Sequence, residues 1–288
     1  MPWPTQLDYQ EALAFPNHCF TDTELATALV ASPGLFGLPQ PITGNFANVY
    51  PLKNDTSTWA VRLFLHEDAL RSERYTRLAV HTPWPHCLLP VTYQPAGITL
   101  ATGSFPLLKM PWQAGEPLNA WVEKNLNQSA ALQTMADLWA ALIGELGRAQ
   151  LAHGDLQHGN IIVTPGGELR LLDYDGLWAP SLATLPPGEW GHPSYQHPQR
   201  VYGSTMDRFP ALVIYVALRA LALAPELWYR LDNGDNLLFR REDFTDPSRS
   251  RTFALLRDVR GLRLLVTALQ DACSVPPERV PPLSRYTA

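Results

Sequence analysis

Cysteine, positive charge and basic runs are scarce in this sequence, and each shortage excludes a class of protein. The three cysteines, Cys19, Cys87 and Cys273, are odd in number, widely separated and outside any CxxC spacing, so we expect neither a disulfide framework nor a zinc site. The formal net charge is −5, and lysine and arginine form no continuous blocks, which argues against nucleic acid as the main partner. A reducing cytoplasm fits this composition best.

Targeting signals and membrane-spanning runs are missing as well. The opening MPWPTQLDY has neither a basic start nor an apolar core, so we expect no signal peptide. The longest apolar run, FPALVIYVALRALALA at 209–224, contains Arg219. It is also shorter than the roughly 20 residues that a bilayer requires. We therefore expect a helix buried in a large core rather than a membrane span.

The chain does have length, apolar residues and proline. Its 288 residues are 46% hydrophobic and 17% charged, which is enough for a full core in one two-lobed domain or two small domains. The 27 prolines cluster at 81–95, 180–198 and 275–282. These clusters predict long ordered loops and a loose tail over 276–288.

The hydrophobic pattern changes character along the chain. An extension over 1–39 has helical patterning, with Thr21 or Asp22 as a helix cap, and we expect it to pack on the following lobe. Strand patterns fill 40–110, including a hairpin of NVYPL and WAVRLFL, with a helix at 67–80. From 117 onward helices dominate, the clearest at 128–150, and NIIV and LRLLD form a small β excursion.

The segment HGDLQHGNIIVTPGGELRLLDYDG, residues 153–176, concentrates acids, amides and histidines between apolar runs. A solvated turn between two strands is one explanation, because turns use Asp, Asn and Gly. The spacing favours another. His153-Gly154-Asp155, with Asn160 five residues after the Asp and Asp173 after a strand-like run, resembles the catalytic loop and metal-binding motif of the eukaryotic-type protein kinases.

This resemblance implies an α+β fold with two lobes, a β-rich N-lobe over 40–110 and a mainly helical C-lobe over 111–275. Phosphoryl transfer requires a carboxylate that accepts or orients the proton of the nucleophile, together with oxygen ligands that hold Mg²⁺ at the phosphates. Asp155 would be that carboxylate, and Asn160 and Asp173 would be the metal ligands. ATP and Mg²⁺ are the cofactors that the resemblance implies.

Several positions before the catalytic segment resemble the nucleotide-binding elements of the same family. ITGNFANVY resembles the glycine loop over the phosphates, although only the middle glycine is retained. KMPWQAGEPL resembles the hinge, with Met110 guarding the pocket and Pro111 C=O and Gln113 N–H meeting the adenine edges. The nucleotide contacts that the resemblance implies are Ile42, Gly44, Ala47, Val49, Ala60, Arg62, Met110, Pro111, Gln113 and Ile162.

Arg62 and Glu73 are the predicted charged pair of the N-lobe. In WAVRLF, Arg62 stands where the family has its phosphate-binding lysine, and Glu73 is the best candidate for the acidic partner on the following helix. Taken singly, each is also explained as an ordinary surface residue. An arginine keeps the charge but presents a planar fork instead of an ammonium group, so its geometry at the phosphates differs.

GHPSYQHPQR resembles the end of a protein-kinase activation segment, with His197-Pro198-Gln199 in the Ala-Pro-Glu place. Asp207 follows, where the family uses an Asp to hold the backbone of the catalytic loop. Small-molecule kinases of the aminoglycoside phosphotransferase type share the His-Gly-Asp loop but generally lack this segment, so they are a second alternative. The motifs together resemble a divergent bacterial group of protein-kinase-like proteins.

Members of that group often accompany a phosphatase and a von Willebrand-type protein in tellurium-resistance-like gene sets. The resemblance therefore implies a protein substrate or a signalling partner, with those two proteins among the expected partners. Neither a membrane nor a nucleic acid is expected. The sequence itself does not name the phosphate acceptor.

Other departures from the family pattern leave two function classes open. Gln157 replaces the lysine that neutralises the transferring phosphate, and His158 substitutes for it only if protonated. Gly154 stands where the family has an arginine that binds a phosphorylated activation loop. Asp175 is either a third metal ligand or a turn former. Gln199 cannot form the charged pair that the glutamate of Ala-Pro-Glu makes. The chain is thus predicted to be a Ser/Thr protein-kinase-like enzyme, or alternatively a pseudokinase that binds nucleotide or a partner.

Overall fold

A computed structural model describes residues 2–31, 34, 38–44, 46–231 and 234–287. The chain forms two compact units, and each is described by itself. The first unit contains residues 1–80 and 89–113, and the second contains residues 81–88 and 114–288. Asn45, inside the predicted glycine loop, lies outside the described residues, as do some residues of the predicted 1–39 extension.

The first unit is built on an antiparallel sheet with six strands among the described residues, in the order β1-β3-β4-β6-β5 with β2 on β3. The strands β1 to β6 are Leu29–Val30, Ile42–Thr43, Ala47–Lys53, Thr58–Phe64, Thr92–Leu100 and Gly103–Pro111. The predicted NVYPL and WAVRLFL hairpin is therefore confirmed as β3 and β4. Asn54 makes the turn between them, because its Oδ1 accepts the backbone N–H groups of Thr56 and Ser57.

One face of this sheet is covered by the N-terminal helices α1, α2 and α3, which are Gln6–Ala12, Pro16–Cys19 and Thr23–Ala26. Alternating strand residues such as Tyr50, Leu52 and Leu63 point to this face and form a buried cluster with Tyr9 and Leu25. The Tyr9 hydroxyl also donates to the Phe64 carbonyl at 2.6 Å. The residues of the predicted extension thus belong to the core of the first unit.

Asp22 links the third of these helices to the sheet. Its Oδ1 accepts the N–H groups of Glu24 and Leu25 at 3.0 and 3.1 Å, so Asp22, rather than Thr21, is the cap of α3. Lys109 on β6 donates to both oxygens of Asp22 at 2.9 and 2.8 Å and lies over the Trp59 ring. One carboxylate therefore serves as helix cap and as half of a partly buried ion pair.

The helix predicted at 67–80 is α4, Arg71–Ala79. It begins later than expected because Asp68 Oδ1 accepts the Leu70 N–H at 2.9 Å, which forms a local turn that competes with helix. The buried face of α4 consists of Arg71, Arg74, Tyr75 and Leu78.

The second unit is mainly helical. Its helices α5 to α11 are Leu118–Lys124, Ser129–Arg148, Arg208–Leu223, Leu227–Leu231, Arg241–Thr245, Arg251–Arg257 and Arg263–Ala272. A small antiparallel sheet of β7, β8 and β9, at Glu116–Pro117, Ile161–Val163 and Leu169–Leu171, includes the predicted β excursion. The helix predicted at 128–150 is confirmed as α6.

Helix α7 confirms the expectation of a buried apolar helix at 209–224. All of its residues are buried except Arg208, Arg219 and Leu223, and α6 packs against it, with Trp139 Nε1 donating to the Ala211 carbonyl at 3.0 Å. Along the described ranges, no helix combines the length and the apolar character needed to cross a bilayer.

Residues 81–88 belong to the second unit, although the sequence pattern placed them within a continuous lobe over 40–110. The reason is local hydrogen bonding. The His81 ring contacts the Ala149 carbonyl at 2.9 Å, the His86 N–H donates to Glu145, and the Leu171 N–H donates to the Cys87 carbonyl at 2.8 Å. Sequence patterning does not show such pairing, because its partners lie more than fifty residues away.

The Asp22 cluster predicts acid sensitivity of the first unit. Burial raises the pKa of Asp22, but hydrogen bonds from Lys109, the Leu25 backbone and Gln94 outweigh it, so the pKa lies below its ordinary value. Such a carboxylate stabilises the fold above its unfolded-state pKa and loses that contribution as the pH falls through the lowered folded-state pKa. We expect Asp22→Asn to cost about 1–3 kcal/mol at neutral pH and to flatten the acid limb of the stability curve.

The measurement is denaturant unfolding between neutral and acid pH. Asp55→Asn, at an exposed turn position of the same unit, is the matched control and should leave the curve unchanged. An Asp22→Asn protein with the acid limb of the wild type would contradict the assignment.

Candidate active site

Asp207, the residue before α7, fixes the backbone at the start of the 153–176 segment. Its buried carboxylate accepts the His153 N–H at 2.5 Å and the Gly154 N–H at 2.9 Å. This is the role that the family resemblance implied for Asp207. Burial raises the pKa of Asp207, while the two backbone hydrogen bonds from His153 and Gly154 act in the opposite direction.

Gly154 is required here for conformation as well as for space. Its φ is +83°, in the left-handed region that L side chains rarely adopt, and a Cβ at this position would collide with the carbonyl of Gly176. The sequence suggested that Gly154 merely lacks the arginine of the family motif. The geometry gives a stronger reason, because no side chain fits at this position.

Asp155 is a carboxylate held by two donors. Asn160 Nδ2 donates to Oδ2 at 2.7 Å and also to the Asp155 carbonyl at 3.0 Å, and the His192 backbone N–H donates to Oδ1 at 2.6 Å. The residue is 9% exposed. The predicted catalytic carboxylate and its neighbouring amide are therefore in direct contact, with the carboxylate oriented from two sides.

His153 connects the catalytic loop to the strand that leads to Asp173. Its Nδ1 accepts the Asp155 N–H at 3.3 Å, so its Nε2 is the nitrogen that donates to the Leu172 carbonyl at 2.9 Å. The Leu172 N–H in turn donates to the Asn160 carbonyl at 2.9 Å. These bonds bring the residue before Asp173 to the backbone of Asn160.

Asn160 and Asp173 are the predicted metal ligands, and their chemistry fits Mg²⁺. The Asn160 amide nitrogen donates to Asp155, which leaves the amide oxygen as the atom able to bind a cation. Asp173 has φ +65°, an uncommon value for a residue that is not glycine. A carboxylate and an amide oxygen are ligands that Mg²⁺ accepts. In the described part of the chain, no cluster of three or more His, Cys, Asp or Glu side chains suited to a metal is found.

Asp175 is the residue that the sequence left open between metal ligand and turn former. Its N–H reaches Asp173 Oδ1 at 3.5 Å, at the outer limit of a hydrogen bond. Tyr174 between the two acids is buried, and its hydroxyl donates to the Leu171 carbonyl at 3.0 Å. The contact places Asp175 in the local turn around Asp173, as the turn interpretation predicts.

The predicted activation segment crosses the catalytic loop within the second unit. Gln196 Nε2 donates to the Gly154 carbonyl at 3.2 Å. A Cβ on Gly191 would lie 2.5 Å from the Gly154 carbonyl oxygen and 2.8 Å from Asp155 Oδ1. Gly191 is therefore a glycine because two backbones approach closely there.

His197 secures the far end of this segment. Its Nε2 donates to the Ala272 carbonyl at 3.0 Å, and its Nδ1 lies 3.0 Å from the Gln199 backbone. The ring is buried and packs edge-on against Phe209. In this chain, the His197 ring anchors the segment at the place where Gln199 cannot form a charged pair.

Gln157 and His158 do not place a free cation beside Asp155. Gln157 Oε1 accepts the Gly159 N–H at 3.1 Å and caps the short turn over 158–160. His158 is buried, and its Nδ1 lies 2.5 Å from the Tyr195 hydroxyl. Both side chains therefore make structural contacts. Gln157 is uncharged, so it does not supply the positive charge of the family lysine.

In the first unit, the predicted nucleotide residues share the sheet face opposite the N-terminal helices. Residues directly opposite each other in an antiparallel pair point to the same side. One cross-strand row contains Ile42, Val49, Arg62 and Leu108, and the next contains Pro51, Ala60 and Met110. The register therefore places Ile42, Val49, Ala60, Arg62 and Met110 on one surface.

The remaining nucleotide candidates lie at the ends of these strands or in the second unit. The Gly44 N–H donates to the Ala47 carbonyl at 3.0 Å, which closes the turn between β2 and β3. Pro111 ends β6, opposite Trp59, and Gln113 ends the first unit. Ile162 lies in β8 of the second unit, paired with Pro117 and Arg170.

Glu73 is placed differently from Arg62. Arg62 is 8% exposed on its strand, whereas the Glu73 side chain is 45% exposed and forms an ion pair with Arg77 on the same helix. Glu73 is also absent from the buried face of α4. The Arg62–Glu73 pair stays a prediction, and the exposure of Glu73 does not favour it.

Sequence reasoning missed His192 and Gly191 as parts of the site. The only signal was their position in GHPSYQHPQR, which identifies a segment but not a contact with Asp155, 37 positions earlier in the chain. It also missed the His153 bridge, because a buried histidine in a motif gives no indication of its partners.

Replacement of Gly154 by alanine should be much more damaging than the same change at Gly167. Both glycines have φ near +80°, but nothing lies within 4 Å of a Cβ at Gly167. Backbone strain of about 1–2 kcal/mol is expected for both variants, and the collision with Gly176 should add ~1–3 kcal/mol for Gly154→Ala alone. Equal losses in chemical denaturation would show that the close approach is unimportant.

Comparison with known proteins supports the fold. No protein-family model and no curated protein sequence matches the chain. Among solved structures, it is similar to the kinase domain of PknI from Mycobacterium tuberculosis, with a TM-score of 0.51 and 15% identity over 88% of this chain and 90% of that domain. The predicted fold class is thereby confirmed: the chain has an α+β, protein-kinase-like fold with an antiparallel sheet in its N-terminal part and helices in its C-terminal part.

Proposed function

We propose that the chain is an ATP-dependent phosphotransferase of the protein-kinase kind, which transfers the γ-phosphate to a protein hydroxyl. The observation that carries this proposal is the arrangement of Asp155, a nearly buried carboxylate oriented by the Asn160 amide and the His192 N–H. The kinase-like fold supports the same function class.

Asp155 is proposed to orient the acceptor hydroxyl and to take its proton. A carboxylate has about four lone-pair sites, and the hydrogen bonds from Asn160 and His192 use one site on each oxygen of Asp155. Capacity therefore remains for a substrate hydroxyl. Because the two donors already fix the carboxylate, little reorientation is needed when the substrate arrives.

Asn160 and Asp173 are proposed to hold Mg²⁺ through the amide oxygen and the carboxylate. The metal, when bound, would neutralise charge on the phosphates. Arg62 is the proposed phosphate contact of the first unit, and Val49, Ala60 and Met110 offer apolar contact on the same sheet face. The guanidinium of Arg62 reaches a phosphate with two parallel N–H groups.

Arg200 is our candidate for part of the charge that Gln157 does not supply. Burial and the neighbouring Arg241 lower the pKa of Arg200, and the carboxylate of Asp155 acts in the opposite direction. The carboxylate of Asp155 therefore favours the charged form of Arg200. It follows directly after the anchored His197–Gln199 stretch, which limits how far it can move.

The proposed acceptor is a serine or threonine hydroxyl of a protein. Support comes from the ordered GHPSYQHPQR segment, which contacts Asp155 through His192 and so contributes to the acceptor side of the site. This segment makes the aminoglycoside phosphotransferase alternative the weaker one. The phosphatase and the von Willebrand-type protein stay predicted partners on the resemblance alone, and the cytoplasmic location stays a prediction from the cysteine content.

A pseudokinase is the second candidate function, and one observation favours it. The Gln157 side chain caps a turn, and glutamine carries no ammonium group that could neutralise the transferring phosphate. In a pseudokinase the nucleotide would bind without transfer. The two functions differ in their dependence on Asp155, which faces the acceptor.

Asp155→Asn should separate chemistry from binding. We expect phosphoryl transfer from ATP to a generic protein substrate to fall by roughly 10²–10⁴, as for removal of an acid–base group, while ATP affinity stays close to that of the wild type. Radiolabel transfer and calorimetric titration measure the two quantities, and Asp137→Asn on the exposed face of α6 is the control. Equal background transfer by wild type and variant, with both binding ATP, would support the pseudokinase instead.

Mg²⁺ should increase the stabilisation of the protein by ATP, since a ligand that binds only the folded state raises the melting temperature by mass action. Asp173→Ala should remove most of the Mg²⁺-dependent part, because it deletes the carboxylate proposed to bind the metal. Asp175→Ala, assigned to the turn, should retain it. A full metal response in Asp173→Ala would place the metal site elsewhere, and no ATP response in the wild type would remove the nucleotide proposal.

A further inference from the structure

The segment 249–263, which contains α10 and the turn that leads to α11, is rich in arginine, although the whole chain has a net charge of −5. Residues 249–263 contain five arginines and a single acidic residue, Asp258. The arginines are spaced along the sequence, so they form no continuous basic block. The five positions are Arg249, Arg251, Arg257, Arg260 and Arg263.

Among the described residues, four of these arginines form no ion pair, although Asp258 follows Arg257 directly in the sequence. Arg249 is paired with Asp246 at 3.6 Å. Arg251, Arg257, Arg260 and Arg263 are exposed and form no ion pair with any residue for which the structure gives a placement. Like charges close together repel one another, so the folded chain gains nothing from this arrangement on its own. Binding of an external anion would offset this repulsion between the arginines.

The fold turns two of these side chains toward a common pocket. Helix α10 ends at Arg257 and α11 begins at Arg263, and Gly261, with φ +94°, makes the reversal between them. The result is an open pocket of about 400 Å³ lined by Ala254, Arg257, Asp258 and Arg263. Arginines from the end of α10 and the start of α11 therefore line one recess, together with Asp258.

An exposed apolar side chain follows Arg263 in the sequence. Leu264 is 85% exposed, the largest exposure among the large hydrophobic residues for which a burial is given. An exposed leucine by itself is ordinary. Next in sequence to an arginine of the recess, it can add an apolar contact for a bound segment.

We propose that Arg257 and Arg263, together with the exposed residues Arg251, Arg260 and Leu264 close to them in the sequence, form a docking surface for a carboxylate-rich segment of a partner protein. The guanidinium group of an arginine binds a carboxylate through two parallel hydrogen bonds. Because Arg257 and Arg263 belong to two separate helices, they suit two acidic side chains of one bound segment. Asp258 in the same recess disfavours a doubly charged phosphate more than a single carboxylate. The proposal does not depend on the phosphotransferase activity.

Nucleic acid fits this surface less well than an acidic peptide. A nucleic-acid surface neutralises a row of phosphates with an extended basic face, whereas here Arg257 and Arg263 line one recess that also contains an aspartate. The rest of the chain is acidic and would repel a long polyanion. A short acidic segment meets only the local positive charge.

The test uses the full chain and a fluorescein-labelled hexaglutamate peptide with one central leucine, followed by fluorescence anisotropy at low salt. The Arg257→Glu, Arg263→Glu double variant should weaken binding by at least about tenfold, since each lost charged hydrogen bond contributes on this scale. The Arg148→Glu, Arg230→Glu variant makes the same charge change at exposed positions on α6 and α8 and should stay within about twofold. Leu264→Ser should weaken binding by a smaller factor.

Melting curves establish that the variants fold, and the neutral Arg257→Gln, Arg263→Gln variant repeats the test with a smaller perturbation. No peptide binding by the wild type, or equal weakening in the Arg148→Glu, Arg230→Glu control, would overturn the proposal. Stronger binding of a short DNA duplex than of the peptide would overturn it in favour of a nucleic-acid surface. Displacement of the peptide by inorganic phosphate at lower concentration than by free glutamate would overturn it in favour of a phosphate site.

Discussion

The geometry of the candidate active site depends on the buried carboxylate of Asp207, which holds the N–H groups of His153 and Gly154. Because Asp207 begins α7, whose surface is buried almost all round, the carboxylate cannot move without disturbing the core of the second unit. The held backbone sets the direction of Asp155, and His153 passes the constraint to Leu172, beside Asp173. Burial raises the pKa of Asp207. The same buried carboxylate positions two proposed functional acids, Asp155 and Asp173.

The sequence was informative wherever function depends on local spacing. Asp155 and Asn160 are five positions apart, and their contact follows from one short turn. The alternation of β3 and β4 likewise placed Val49, Ala60 and Arg62 on one sheet face, since strand periodicity decides the face once the hairpin is known. Helix α7 was equally predictable, because its composition leaves no polar face.

What the sequence could not supply are contacts between distant segments. The His192 N–H reaches Asp155 across 37 positions, and residues 81–88 join the second unit through partners on α6 and β9. A backbone N–H carries no residue-type signal at all. The Arg62–Glu73 pair stays a prediction that the exposure of Glu73 does not favour, because the buried face of α4 contains Arg74 and Tyr75 while Glu73 pairs with Arg77. The Asp68 turn before this helix is a local hydrogen bond that the hydrophobic pattern does not show.

The glycine of the His-Gly-Asp motif gains its explanation from the same contacts. A positive φ and the nearby carbonyl of Gly176 exclude any larger residue at Gly154, so the chain cannot carry an arginine there to bind a phosphorylated activation segment. The segment is instead held by hydrogen bonds from Gln196 to the Gly154 carbonyl and from His197 to the Ala272 carbonyl. The close approach at Gly154 thus excludes an arginine that could bind a phosphorylated segment. The same residue orders the segment in a different way, because its carbonyl accepts the hydrogen bond from Gln196.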